Sequence, residues 1–417
     1  MKFTKAEKSW ILYDVANSAF TLVTSATLPI WFAYLYGLNP IGEIPATTFF
    51  AITTSLSVAI IAFLSPLMGA IADHKGMKRK LFIGSIAIGI LGGLAFSGIT
   101  NWVLFLVLFV ISRTGYSLAN VFYDSMLVDV TTDEKMDKLS AYGYAFGYVG
   151  STIPFILGIV LVMMPETFGI TTSTATQLSF VIALVWWLLF TIPLLRNVKQ
   201  TYYREKETHI ISKSFKQIAI TFGKIRANRK MFLYIIAYFF YIDGVYTIIS
   251  MASIFGAEVG LETNGLIMAL LLTQFVAFPF AILASILAKK FGVLTMLKSY
   301  VAIYGFVAVF GFTITAAEPW KFWMLAVIVG LAQGGVQSLS RSYFGKLVPK
   351  ENSNEYFGFF DIFGKYADLL GPLLMALSGF LFHETRYAIL FMVTFFIFGF
   401  YLLNKISKME KEEKLAK

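Results

Sequence analysis

The sequence predicts an all-α polytopic membrane protein with twelve transmembrane helices in two six-helix pseudo-repeats. Three observations lead there. The chain is 58% hydrophobic and 14% charged over 417 residues, whereas a soluble protein usually carries about a quarter charged residues. Apolar runs of the roughly 20 residues that a span needs occur twelve times. The longest polar gap, 196–230, falls between the sixth and seventh runs, which divides the chain six and six, a plan common among secondary transporters.

The first run, 10–37, follows the short basic stretch MKFTKAEKSW. It is too long and too polar for a cleavable leader and is expected to be retained. Runs 46–72 and 80–99 flank the basic loop "GAIADHKGMKRK". Runs 101–128, 140–164 and 175–195 complete an N-terminal half, 1–195. In the central loop, 196–230, the stretch 208–228 reads either as an amphipathic helix on the membrane surface or as a solvated linker. Runs 231–257, 263–288, 293–315, 319–347, 354–382 and 385–405 make a C-terminal half, 231–405, followed by a tail, 406–417.

Positive charge sets the expected orientation. With both termini, the central loop and the even-numbered loops in the cytoplasm, that side holds 28 of the 34 Lys and Arg. Only Lys321 and Arg386 fall on the other side; Arg113, Lys298, Arg341 and Lys365 fall within spans. The net charge of +10 is then a topological and anionic-lipid signal, and no nucleic-acid partner is expected. With no cysteine and three scattered histidines (His74, His209, His383), no metal set or thiol chemistry is expected. No nucleotide-binding motif is present, since "GFFDIFGKY" (358–366) has the wrong spacing and lies in a span. No cofactor and no enzymatic activity are expected.

Polar side chains recur on one face of every third span. Asp14, Asn17, Ser18, Thr21 and Ser25 share a face of the first, and Arg113, Ser117, Asn120 and Asp124 a face of the fourth. Asp243, Thr247 and Ser250 mark the seventh, and Gln333, Gln337 and Arg341 the tenth. In the eleventh, Asp361, Lys365 and Asp368 lie at i, i+4 and i+7. A charge within hydrocarbon costs at least ~2.5–3.5 kcal/mol and needs a partner or a wet cavity. One such stripe could bind helices together; four point to an aqueous cavity lined by spans 1, 4, 7 and 10. At ~1.5 Å per residue, Arg113, Asp243, Lys365 and Asp368 fall near the midplane. Asp14, Asp124, Asp361 and Arg341 fall nearer the cytoplasmic end. Five Asp face three bases in these stripes, so at least one carboxylate is expected to carry a proton.

In "GAIADHKGMKRK", Gly69, Asp73, Gly76, Lys78, Arg79 and Lys80 resemble the signature gating loop of the major facilitator superfamily. Gly69 permits close helix packing, Asp73 suits a helix N-terminus or a basic partner, and the cations hold the loop in the cytoplasm. A remnant, "AKKFG" (288–292), stands at the matching place in the second half. "YDVANSAF" (13–20), "YIDGVYTII" (241–249) and "GLAQGGVQSLSRSYFGKLVPKENSNEYFGFFDIFGKYADLLGP" (330–372) resemble the vacuole-effluxer-like family, whose fungal members are vacuolar amino-acid effluxers linked to autophagy. Val15 stands where that family usually has Trp, Asp124 where Asn is expected, and Asp368 where a small residue is expected. Arg113 resembles the helix-4 arginine of proton-coupled facilitators. "GYVGSTIPFILG" (147–158) resembles the Gly/Pro motif of facilitator antiporters or simply allows close packing.

The resemblance implies the major facilitator fold and a monomer. Cavity residues of both charges, with amides from Asn120, Gln333 and Gln337, suit a small polar or zwitterionic solute such as an amino acid. The expected function is secondary active transport by alternating access, as proton-coupled efflux across a bacterial plasma membrane. The partners are the solute, protons and membrane lipids. A lipid or lipid-linked-sugar flippase and a multidrug exporter are the alternatives.

Overall fold

The computed structural model describes residues 2–42, 44–205, 210–258, 260, 262–314, 318, 320–382 and 387–415. Side chains at 210–212, 251, 253–255, 257–258, 263–264, 365–372, 375–376, 379–380, 382 and 414 lie outside this description. Fourteen α-helices are described. They are α1 (Lys5–Gly37), α2 (Ala46–Ala72), α3 (Met77–Ser97), α4 (Trp102–Ser125), α5 (Leu127–Val130), α6 (Asp133–Met163) and α7 (Thr172–Asn197). They continue with α8 (Ile210–Ala227), α9 (Arg229–Glu258), α10 (Thr263–Phe291), α11 (Val293–Phe312), α12 (Trp320–Leu347), α13 (Ser353–Phe382) and α14 (Tyr387–Leu415). Among the described residues, eleven helices are long and apolar enough to cross a membrane. The expected eleventh span, 354–382, is the 30-residue α13, many of whose side chains lie outside the described set.

Several helices outrun their apolar segments. α6 begins at Asp133, ahead of the expected 140, and α14 runs to Leu415, beyond the expected 405. The added turns are charged, so hydropathy ends there while the backbone ladder continues. α1 starts earlier for a local reason. Thr4 Oγ1 accepts from Glu7 N at 3.1 Å, and Thr4 N donates to Glu7 Oε2 at 2.7 Å, a reciprocal cap that satisfies two orphan groups. The α2–α3 and α10–α11 turns each hinge on a glycine with positive φ, Gly76 at +73° and Gly292 at +88°, a conformation that costs other residues strain.

The chain divides into two compact units that are not contiguous in sequence. Unit 1 holds Met1–Thr131, Phe146–Phe215 and Pro349–Phe359; unit 2 holds Thr132–Ala145, Lys216–Val348 and Phe360–Lys417. Within unit 1, α1 packs on α7, α2 on α4, and α3 on both α4 and α7. Within unit 2, α9 packs on α14, α10 on α12, and α11 on both α12 and α14. The two packing schemes match helix for helix, which is the structural form of a six-helix repeat. Small residues make the approach close. A Cβ on Gly115 of α4 would lie 2.4 Å from Gly89 N of α3, and one on Gly334 of α12 would lie 2.5 Å from the Ala281 Cβ of α10.

Candidate functional site

In unit 1 the polar stripes of α1 and α4 face each other. Asn17 Nδ2 donates to Asn120 Oδ1 at 3.1 Å, and Thr21 pairs with the Tyr116 hydroxyl. Tyr116 OH also donates to Asn17 O at 3.3 Å. Asp14 and Asn17 are buried; Ser18, Asn120, Asp124 and Arg113 are half-buried, and Thr21 and Ser25 exposed. The Arg113 guanidinium sits 6.0 Å from the Phe109 ring. Aromatic residues fix the register of α1. Trp10 stacks on Tyr123 at 4.6 Å and donates to Tyr123 O, while Trp186 Nε1 donates to Val15 O at 3.2 Å. α6 closes on the same face: a Cβ at Gly147 would lie 2.7 Å from Ser18 Oγ.

In unit 2, Asp243, Thr247, Gln333 and Gln337 are all buried. Thr247 and Gln333 line a cavity of about 90 Å³ whose other walls are largely apolar, among them Leu270, Val307, Phe322 and Met392. Thr247 Oγ1 and Gln333 Oε1 are buried there with no hydrogen-bond partner among the described residues, which leaves polar capacity for a bound molecule. Arg341 reaches α6. Its Nε donates to Ser140 Oγ at 3.0 Å, a second guanidinium nitrogen donates to Ser140 O at 3.2 Å, and the guanidinium lies 4.2 Å from the Tyr144 ring. It fixes the first turns of α6. Asp137, beside it, accepts from Ser342 Oγ at 2.7 Å and Lys346 Nζ at 2.6 Å. Asp361 is half-buried. The side chains of Lys365 and Asp368 lie outside the described residues.

The gating loop sits in a buried polar node of unit 1. Asp73 Oδ1 accepts from Asn354 N at 2.9 Å and Asn354 Nδ2 at 2.7 Å, and Oδ2 accepts from Glu355 N at 3.1 Å. A carboxylate thus caps the first turn of α13, where unsatisfied N–H groups and the helix dipole favour negative charge. Lys78 Nζ lies 2.6 Å from Asp129 Oδ2, with both side chains fully buried. Lys78 is therefore a paired core residue, unlike the exposed Arg79 and Lys80, and it corrects the expectation of a solvated topological cation. Asp129 Oδ1 accepts from Thr201 N at 2.8 Å and Tyr202 N at 3.0 Å. The segment after α7 is strapped to the loop through Lys75 N to Arg204 O at 2.9 Å, Arg204 N to Asp73 O at 2.8 Å, and Gly76 N to Gln200 Oε1 at 2.9 Å. Asp129, Gln200, Asn354 and Glu355 escaped the sequence reading. The one signal for Asn354 and Glu355 was that Asp73 requires donors.

Gly69 makes the node possible. A Cβ there would lie 2.4 Å from Asn354 O, and one on Gly358 would lie 2.6 Å from Ser65 O. Because both obstacles are backbone, Gly69→Val is expected to displace the start of α13. The check is thermal unfolding of the purified protein, in which Gly69→Val should cost about 1–3 kcal/mol of stability.

Two six-helix units of matching packing, with polar faces inside apolar spans, define a multi-pass transporter of the major facilitator type. Solved structures share that fold. The outward-conformation structure of the facilitator FucP aligns with a TM-score of 0.72 at 13% identity, covering 97% of this chain and 99% of that one. The human organic anion transporter MFSD10 (TETRAN) aligns with a TM-score of 0.71 at 13% identity, covering 96% and 99%. Residues 4–417 match the family described as "Vacuole effluxer Atg22 like", and the chain belongs to that family. The "Uncharacterized MFS-type transporter YxiO" of Bacillus subtilis is 43% identical over 407 residues, 96% of this chain and 95% of that protein. "Autophagy-related protein 22" of Eremothecium gossypii is 25% identical over 87% of this chain and 78% of its own length. The family and fold are those of transporters, so the protein acts on a small-molecule substrate as a carrier and not as an enzyme.

Proposed function

We propose that the protein exports a small zwitterionic solute of the amino-acid class by proton-coupled alternating access. The observation that carries this reading is the unit 2 cavity, where Thr247 Oγ1 and Gln333 Oε1 stand without partners in a largely apolar wall. Such a lining suits a molecule with a compact apolar part and a polar head. Its volume, about 90 Å³, is below the ~150 Å³ of an engineered cavity that holds benzene, which favours a small solute over a lipid. Asp14 and Asp243, buried acids within spans, support proton coupling, because an ionisable side chain at membrane depth marks an ion or proton path. The distribution of Lys and Arg supports a plasma-membrane protein with both termini cytoplasmic, and the effluxer family supports the outward direction.

Binding tests the reading before flux does. A panel of amino acids, each at a concentration of about 100 Kd, should raise the stability of the purified protein by ~2.7 kcal/mol for any member that binds the folded state. Asp243→Asn keeps the side-chain volume and should remove that response. A panel in which no amino acid shifts the unfolding temperature would overturn the substrate class.

A further inference from the structure

We infer that α8 is an interfacial helix that inserts Phe215 and Phe222 into the adjoining leaflet and holds anionic phospholipid headgroups through its four basic side chains. Helix geometry divides α8 into three sides. Ser214, Thr221 and Ile225 recur at i, i+7 and i+11 and are buried, 2%, 0% and 3% exposed, so this line packs on the protein. About a quarter-turn away at 3.6 residues per turn, Phe215 and Phe222 form an i, i+7 stripe that is 48% and 49% exposed. Lys213, Lys216 and Lys224 are exposed around the remaining side, and exposed Arg226 flanks the phenylalanine stripe. There is no acidic residue in 210–227.

What covers the two phenyl rings is marked by α2. The Phe215 ring lies 6.2 Å from that of Phe63, a residue nine positions inside the C-terminal end of a membrane-spanning helix and 60% exposed. A phenyl group so exposed in a hydrophobic span faces acyl chains, so Phe215 touches the lipid-facing surface of α2. The stripe therefore lies where an interfacial helix buries its apolar face, a few ångström below the headgroups. Arg226 then stands at headgroup level. The three lysines lie within a helix diameter of it, comparable to a Debye length at physiological salt, where each attracts anionic lipid.

The chain has no cysteine, so single labels report single positions. Full-length Phe215→Cys, Lys216→Cys and Phe222→Cys variants would carry bimane in nanodiscs of 70% phosphatidylcholine and 30% phosphatidylglycerol. Nitroxide on lipid acyl chains should quench positions 215 and 222 at least about threefold more than 216, and aqueous iodide should do the reverse. Nitroxide borne on phosphatidylglycerol should quench position 222 about tenfold more per molecule than the same label on phosphatidylcholine. Replacing Lys213, Lys216, Lys224 and Arg226 by Gln should erase that preference. These side chains are on the surface, so the fold is not at stake, and an unchanged unfolding temperature would verify it. Equal iodide access at all three positions would make α8 a solvated linker and overturn the inference. Equal quenching by the two lipids would overturn the headgroup assignment.

Discussion

Lys78→Met is expected to destabilise the protein by roughly 3–5 kcal/mol, the usual consequence of removing one partner from a buried ion pair. Lys78 and Asp129 are 2.6 Å apart with side chains 1% and 0% exposed, so loss of the ammonium strands a carboxylate that water cannot reach. Asp129→Leu should cost at least as much, because Thr201 N and Tyr202 N lose their acceptor as well. The double variant Lys78→Met with Asp129→Leu should recover part of the loss, since no unpaired charge remains. A double-mutant cycle on the purified protein, read by thermal unfolding, measures this. Additive single effects would mean that the pair is not coupled.

Asp73→Ala should be comparably severe and should also impair transport. It removes the acceptor of three donors at the head of α13; each donor left buried and unsatisfied costs ~1–3 kcal/mol. The cost should be at least ~3 kcal/mol, read by thermal unfolding. Burial pushes the Asp73 carboxyl from 3.8 up to about 7, outweighing the opposing pull of the Asn354 side chain, Lys78 and the two backbone N–H groups. The sign follows. The folded state holds this proton more tightly than the unfolded state, so the group's contribution is most favourable below about pH 4 and declines until about pH 7. Asp73→Asn should flatten that part of the stability profile. Tyr356 also lies near Asp73, so comparison with Tyr356→Phe separates its share. Identical slopes in the parent and Asp73→Asn between pH 4.5 and 8 would contradict the assignment.

The spans were legible because twenty apolar residues in a row have few alternatives. The second and tenth, expected at 46–72 and 319–347, appear as Ala46–Ala72 and Trp320–Leu347. Helix ends were less legible wherever charged turns extend them, as in α6 and α14. The α1 and α4 faces could be read from spacing, and Asn17 meets Asn120. Long-range pairing could not. Asp73 and Asn354 are 281 positions apart, and no local pattern marks Lys78 as buried while its neighbours Arg79 and Lys80 are exposed. Arg341 is a related case: spacing assigned it to the stripe of Gln333 and Gln337, and could not show that its guanidinium also meets Ser140 and Tyr144. α8 was ambiguous in sequence because its period fitted both a surface helix and a linker.

The central claim is that this chain is a proton-coupled carrier of a small zwitterion. Its most direct test is flux of a labelled amino-acid pool through proteoliposomes, with and without an imposed pH gradient. Flux of at least one amino acid should be accelerated by the gradient and lost in Asp243→Asn. Flux indifferent to the gradient would contradict the coupling, and absence of flux for every amino acid would contradict the substrate.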